Sequence, residues 1–289
     1  MRGPARLGPL ADVAVLSPTD AWTVGLHHSH GFIEHWDGRR WSRNGISGVG
    51  DLQAVAGISS RDVWTVGGEE SYVSLHWDGN RWRRVTLASP AQSAPPLSSL
   101  GSSSTRPSES VWDVAAISHR DGWAVGGNDG LLTVHWNGHR WKAHLGPNVG
   151  DQLSWLISVA ALSASDVWAV GVAVNGLSLH EPVVYRWNGK KWRSAAVPPI
   201  DGELDGIVAR SPTEIWTVGW DDPVLGGRGG TISRWNGRKW RAKEVGAATK
   251  LVAIAADKRT HVWAVGSIGN PTDENELGAP TPVILRYGC

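Results

Sequence analysis

The chain has 289 residues, nineteen of them tryptophan and only one each of cysteine, methionine and phenylalanine, with a formal net charge of +1. Balanced charge without a basic stripe excludes a nucleic-acid surface, and a lone Cys289 excludes an intramolecular disulfide framework. No apolar run is long enough to cross a bilayer as a helix, and Met1-Arg2-Gly3-Pro4 lacks the apolar core of a signal peptide, so the expectation is a monomeric cytoplasmic protein, secreted if a signal peptide was removed, with no membrane partner.

The chain repeats one phrase: a small apolar run, Ser-x-x-Asp-x-Trp-x-Val-Gly, a variable gap, then a basic residue and Trp-(Asp/Asn)-Gly-x-x-Trp. Residues 2–9 precede the first copy, 10–46, which holds Trp22, Trp36 and Trp41 and a histidine-dense stretch, Leu26-His27-His28-Ser29-His30. The second copy, 52–86, holds Trp64, Trp77 and Trp82 and reads as four short strands: Leu52 to Ile58, Val63 to Val66, Tyr72 to Trp77 and Trp82 to Val85. A Ser/Pro-rich insertion, 89–110, then interrupts the period; its composition buries no core and marks a flap or a disordered loop. The third copy, 111–145, has Trp123, Trp136 and Trp141, and the fourth, 156–197, has Trp168, Trp187 and Trp192. The fifth, 204–245, has Trp216, Trp235 and Trp240. The sixth, 251–289, has Trp263 and Tyr287 and stops where its fourth strand should begin.

Between the third and fourth strands stands Asp-Gly or Asn-Gly, from Asp37-Gly38 to Asn236-Gly237, which closes tight hairpins. No segment has a helical period with caps. Four-stranded antiparallel units repeated with no helix to cover them predict an all-β, six-bladed β-propeller forming a single domain. In the inner strands one column is small (Ala14, Ala56, Ala115, Ala160, Val208, Ala255), as expected where inner strands crowd an axis. Residues 2–9 are expected to supply the outer strand of the last blade and so lock the ring.

The phrases Asp-Val-Trp-Ala-Val-Gly and His-Trp-Asn-Gly-x-x-Trp resemble the blades of bacterial BNR/Asp-box-type propellers, and also tectonin-type lectin repeats with their Trp-Ala-Val and Tyr-Arg-x-Gly-x-x-Trp phrases. The resemblance covers nearly the whole chain and implies blade architecture. Such propellers include glycosidases, lectins and assembly factors. The Asp-box spacing Ser-x-Asp-x-Gly-x-x-Trp is not matched and no sialidase arginine triad is identified, so no family catalytic residue is carried over.

Residues present in every repeat are scaffold first. His35, His76 and His135, then Arg186, Arg234 and Arg286, share the column before the second tryptophan. Each basic side chain is expected to meet the acid of the first hairpin (Asp20, Asp62, Asp121, Asp166 or Glu214) and pin the third strand to it. Arg210 and Asp257 break an apolar column and are expected to pair, since a buried charge needs a partner.

Residues unique to one repeat are the functional candidates. Trp112, Trp155 and Trp220 lie off the grid, on the face holding the irregular loops, where an aromatic-lined concavity is the default ligand site; the competing reading is that they plug the channel. Asp12, Gln53, Asp113, Ser158 and Asp205 occupy two columns at the mouth of the inner strands, Asp205 within the acidic run Asp201-Gly202-Glu203-Leu204-Asp205. The expectation is one pocket for a small molecule or glycan, with Trp112, Trp155, Trp220, Gln53, Asp12 and Ser158 as contacts. The alternatives are a cofactor-independent lyase, cyclase or hydrolase, with Asp113, Asp205 or His28 moving the proton and indoles stabilising a cationic transition state, and a protein-assembly scaffold. Histidines 27, 28 and 30, aided by Glu69 and Glu70, and the acidic run Asp273-Glu274-Asn275-Glu276 are weighed as metal sites and read as solvated loops; no metal or cofactor is expected.

Overall fold

A computed structural model describes residues 9–28, 30–45, 48–68, 72–87, 110–127, 131–145, 154–174, 180–221, 229–246, 249–257, 261–268 and 281–288. Every regular element among the described residues is a β-strand, as the short Val-, Ile- and Trp-rich runs predict. The first sheet is β1 (Leu10–Ser17), β2 (Asp20–His27), β3 (His30–Trp36) and β4 (Trp41–Arg43), and the second is β5 (Leu52–Ser59), β6 (Asp62–Gly67), β7 (Val73–Trp77) and β8 (Trp82–Arg84). The third is β9 (Ser110–Ser118), β10 (Asp121–Gly127), β11 (Leu131–Trp136) and β12 (Trp141–Leu145), and the fourth β13 (Ser154–Ser163), β14 (Asp166–Val174), β15 (His180–Trp187) and β16 (Trp192–Ser194). The fifth is β17 (Gly202–Ser211), β18 (Glu214–Asp221), β19 (Gly229–Trp235) and β20 (Trp240–Gly246), and the sixth has β21 (Thr249–Ala256), β22 (His261–Ile268) and β23 (Thr281–Gly288). Each is an antiparallel meander in chain order. Two compact units, residues 1–146 and 147–289, carry three sheets each.

Local chemistry sets the hairpins. The motif serine accepts a bond from the backbone N–H two residues on, as Ser59 does from Arg61 at 3.3 Å, and closes the first turn. In the Asp/Asn-Gly turns the side-chain oxygen accepts two backbone N–H bonds; those from Arg39 and Arg40 hold the Asp37 carboxyl below its usual range. The glycine that follows has φ +89° at Gly38 and +90° at Gly237, which is why glycine stands there.

Within each of the first five sheets the expected acid–base contact is present. His35, His76 and His135 donate from Nε2 to Asp20, Asp62 and Asp121 at 2.9, 2.8 and 2.7 Å. Arg186 makes a bidentate pair with Asp166 at 2.7 and 2.9 Å, and Arg234 reaches Glu214 at 3.4 Å. The basic group also lies over the first tryptophan of its repeat. The rings of Trp22 and His35 stack at 4.2 Å, and the guanidinium of Arg186 sits 4.9 Å from the Trp168 centroid. The sixth sheet varies this: His261 stands where the others carry an acid. Because arginine only donates, His261 Nε2 accepts from Arg286, and its Nδ1–H donates to Asp257 at 2.7 Å. Arg210 reaches Glu214 of its own hairpin at 3.4 Å, and Asp257 holds His261 of its own sheet at 2.7 Å.

The cores lie between successive sheets. Trp22 meets Trp77 and Trp82 of the second sheet at 5.4 Å each, and Trp64 meets Trp136 and Trp141 of the third at 4.8 and 5.3 Å. In the second unit Trp168 faces Trp235, and Trp216 faces Tyr287. The column of small residues takes part in this packing: Ala14, Ala56 and Ala160 pair directly with Trp22, Trp64 and Trp168 and share their face of the sheet, where a larger side chain would compete with the indole. Trp263, in the last sheet, is 41% exposed, against 2% or less for Trp22, Trp64, Trp123 and Trp168. Of the segment expected to complete that sheet, residues 2–8 lie outside the described residues. The carbonyl of Pro9 accepts a bond from Leu26 and so belongs to the first sheet. The insertion at 89–110 lies outside the described residues up to position 109.

The carboxylate of Asp166 is buried and accepts from both Arg186 and Trp168 Nε1, the latter at 3.0 Å. Asp166→Ala therefore leaves a guanidinium and an indole N–H without acceptors and is expected to cost about 3 kcal/mol of unfolding free energy, read by urea denaturation, with Asp166→Asn falling between it and the wild type.

Candidate functional site

The same irregularity recurs at one end of every innermost strand. Between the leucine or valine that pairs with the glycine of Trp-x-Val-Gly and the next paired residue, one residue is left over as a β-bulge. The leftover residues are Ala11, Gln53, Trp112, Ile157, Asp205 and Val252. A bulge frees a side chain from the alternation of the strand and re-aims it. The glycine is required by the approach of the neighbouring strand: a Cβ on Gly219 would stand 2.0 Å from the Glu203 carbonyl oxygen. The scaffold is thus uniform here while the side chains are not.

Apart from His28, the expected site residues fall in, beside or opposite the bulged end of the inner strands. Gln53, Trp112 and Asp205 occupy it in the second, third and fifth sheets. Asp12, Asp113 and Ser158 come one residue later in the first, third and fourth. Trp155 and Glu203 hold equivalent places, two residues before the bulge, and Lys250 holds the same place in the sixth sheet. Trp220, opposite Glu203, is part of β18 rather than of the loop after it. Trp112 belongs to the first unit and is 39% exposed; Trp155 and Trp220 belong to the second.

Some of the polar groups hold neighbouring strands together. Asp12 Oδ2 accepts from Val55 N–H of the second sheet and Oδ1 from Val13 N–H, each at about 2.8 Å or less, and burial still raises its proton affinity above that of an ordinary carboxyl. Ser158 Oγ plays the same part towards Ile207 N–H at 3.3 Å. Asp113 Oδ1 accepts from Val114 N–H at 2.7 Å. Gln53 donates its side-chain amide to Asp51.

Asp205 is different. Its Oδ2 is buried and, among the described residues, has no hydrogen-bond partner. Burial, reinforced by the neighbouring Glu203 and partly offset by Lys250, pushes its carboxyl up to about 7. Lys250 Nζ bonds Glu203 Oε1 at 2.7 Å and lies 6.0 Å from the Trp220 ring centroid. Burial alone would make Lys250 a weaker base, but Asp205 and the bonded Glu203 outweigh it and keep the ammonium charged. Across Glu203, His180 Nδ1 stands 3.8 Å from Oε2. An acid poised near neutrality, an ion pair, an imidazole and an indole are thereby assembled from β15, β17, β18 and β21, all in the second unit. Lys250 and Glu203 could have been found by aligning the repeats on the leucine that precedes each bulge. His180 follows a loop of irregular length, so no column marks it.

The histidine-dense hairpin is a separate place in the first unit. His28 has φ +46°, a left-handed conformation uncommon outside glycine. The rings of His27 and His28 meet edge to face at 4.2 Å, and with His30, Phe32, Arg43 and Val49 they border a cleft of about 580 Å³. Among the described residues no group of three His, Cys, Asp or Glu side chains is placed to hold a metal ion. Glu69, Glu70 and 273–276 lie outside those residues, and no helix is long and apolar enough to cross a membrane.

No protein-family profile and no curated protein matches the sequence. Solved structures do resemble the fold. YCF48 from Cyanidioschyzon merolae is 12% identical over 90% of this chain and 93% of its own, with a TM-score of 0.60. YCF48 bound to D1 peptide is 14% identical over 89% and 74%, at 0.56. A catalytically inactive virginiamycin B lyase from Staphylococcus aureus with quinupristin is 12% identical over 96% and 84%, at 0.63. The class these likenesses define, with six antiparallel sheets and no helix, is the β-propeller. Identities this low establish the fold and nothing finer.

An acid whose proton affinity is raised on folding destabilises the folded state once the unfolded chain would ionise. That penalty is absent below pH 4, grows between the unfolded value near 4 and the folded value, and is constant above it. Relative to the wild type, Asp205→Asn is therefore expected to gain unfolding free energy between pH 4 and pH 7, by up to about 4 kcal/mol, and no more beyond. A difference that stays flat from pH 4 to 8 in denaturant titrations would remove the raised proton affinity.

Proposed function

We propose that this β-propeller binds a small molecule or glycan at the bulged end of its inner strands, in a site of the second unit built on Asp205, Glu203, Lys250 and Trp220, with Trp155 in the equivalent position of the preceding sheet. The observation that carries the reading is Asp205: a buried carboxyl oxygen without a partner, beside an indole and an ion pair, is a group a ligand would satisfy. Its irregularity supports a single site, since a lectin with one site per blade would repeat its contacts and none of these residues repeats. The resemblance of the repeat to tectonin-type blades supports a carbohydrate, whose hydroxyls suit carboxyl groups beside flat aromatic faces.

A second reading is enzymatic. A carboxyl with a pKa near 7 is suited to general acid–base work at neutral pH, and a lyase, cyclase or hydrolase would use Asp205 for the proton and the Trp220 face for developing positive charge. Asp113 and His28, the other proton carriers considered, lie in the first unit. Peptide docking, as in the YCF48 complex with D1 peptide, would make the chain a scaffold and would call on a broader surface.

Screening the purified chain against a glycan array and a small-molecule library is expected to give ligands that perturb tryptophan fluorescence. Trp220→Ala and Trp155→Ala should each weaken such ligands at least about tenfold with unfolding midpoints near wild type, and Trp112→Ala reports separately on the first unit. Ligands indifferent to Trp155, Trp220 and Asp205 together would sink this site. Conversion of a hit by the wild type but not by Asp205→Asn would select the enzymatic reading.

A further inference from the structure

The charges around Asp205 say which ligand chemistry the site favours, and this inference rests on the binding reading above. Glu203, two residues earlier on β17, is held by Lys250 of β21 at 2.7 Å, so carboxylate and ammonium cancel. His180 of β15, at 3.8 Å, faces the other oxygen of Glu203 rather than Asp205. These are the titratable groups that the structure brings against Asp205 from its own strand and from β15 and β21, and Trp220 of β18 adds an indole but no charge. Among the described residues, after the ion pair is cancelled one carboxyl is left over, and its buried Oδ2 has no donor.

We infer that the site selects a protonated amine, an amino sugar or a small cationic amine, whose N–H donates to Asp205 Oδ2 while its carbon frame lies against the Trp220 indole. Three observations point the same way. The acceptor is buried, so water competes poorly for it. Among the described residues the neighbouring cation, Lys250, is already committed to Glu203. An indole face attracts a cation and its adjoining C–H groups alike. An anionic ligand meets the opposite situation, because its counter-ion would have to be taken from Glu203, leaving a second carboxylate unpaired. Binding of an amine is also coupled to proton release. The carboxyl must ionise to receive the ammonium, so affinity rises with pH through the range in which Asp205 loses its proton and levels off above it.

Benzylamine and its neutral counterpart benzyl alcohol separate the possibilities, followed by indole N–H shifts in NMR titrations. Benzylamine remains protonated across pH 6 to 8. It is expected to bind at least about tenfold more tightly than the alcohol at pH 8, to weaken about tenfold between pH 8 and pH 6, and to lose both the preference and the pH dependence in Asp205→Asn. Lys250→Met frees the Glu203 carboxylate and is expected to tighten benzylamine without helping the alcohol. The wild-type pH profile needs no variant to fold. If both probes bind equally, with no change from pH 6 to 8 and none in Asp205→Asn, the aromatic pocket stands and the amine preference is overturned. If neither binds at millimolar concentration while neutral glycans do, the preference falls alone; if nothing shifts the Trp155 or Trp220 indole signals, the binding reading falls with it.

Discussion

The structure hangs on one contact repeated along the chain. An acidic residue at the start of the second strand holds a basic residue on the third, and that basic group lies flat on the indole between them. Each part depends on the others. The indole is nearly or wholly buried in the first four sheets, so it can face the next sheet only if something fixes its other side. Histidine and arginine do this equally well because both are planar donors that stack. The carboxylate orients the planar group and is itself satisfied by the bond. A charge-assisted bond is worth about 1.5–3 kcal/mol and an indole–cation contact about 0.5–2 kcal/mol, modest sums that matter by recurring in sheets too small to stand alone. The sixth sheet shows what the contact requires. With His261 in the acid's place the order of donors and acceptors shifts by one residue, Asp257 supplies the carboxylate, and Arg286 still lies over Trp263.

Indoles pinned in this way zip one sheet to the next, and that leaves the ends of the inner strands free to vary. The bulge recurs at the same step of every inner strand, forced by a glycine against a backbone carbonyl, so a constant frame presents an alanine, glutamine, tryptophan, isoleucine, aspartate or valine at one place. Two kinds of polar residue gather there. Asp12 and Ser158 accept from the backbone of the next inner strand and so join sheets. Asp205 joins nothing with its buried oxygen. Sequence position does not separate these roles, because the columns are one residue apart and the residue types overlap.

The two clusters of ionisable groups also differ in kind. Around Asp205 the acid, the base and the indole come from separate strands and are half-buried, so each alters the others' proton affinity. At the histidine-dense hairpin the three imidazoles come from one turn, where adjacent side chains on a regular strand would point apart. The left-handed backbone at His28 instead turns its ring onto the edge of His27. Neighbouring side chains diverge on an extended strand but need not do so where φ is positive.

By itself the sequence determined the number of sheets, the hairpins, the acid–base pairing of the first five sheets and the end of the strands at which unique residues gather. All of these are local or periodic, and a repeat states them several times over. The off-grid tryptophans were legible for the same reason: a residue absent from the other copies stands out against them. Only the tertiary structure decided that the small column faces the indoles, that Asp12 and Ser158 bind backbone, and that Asp205 lies beside Glu203 and Lys250, with His180 across Glu203. Those facts depend on which sheet lies against which and on burial, and no pattern along a single strand encodes that.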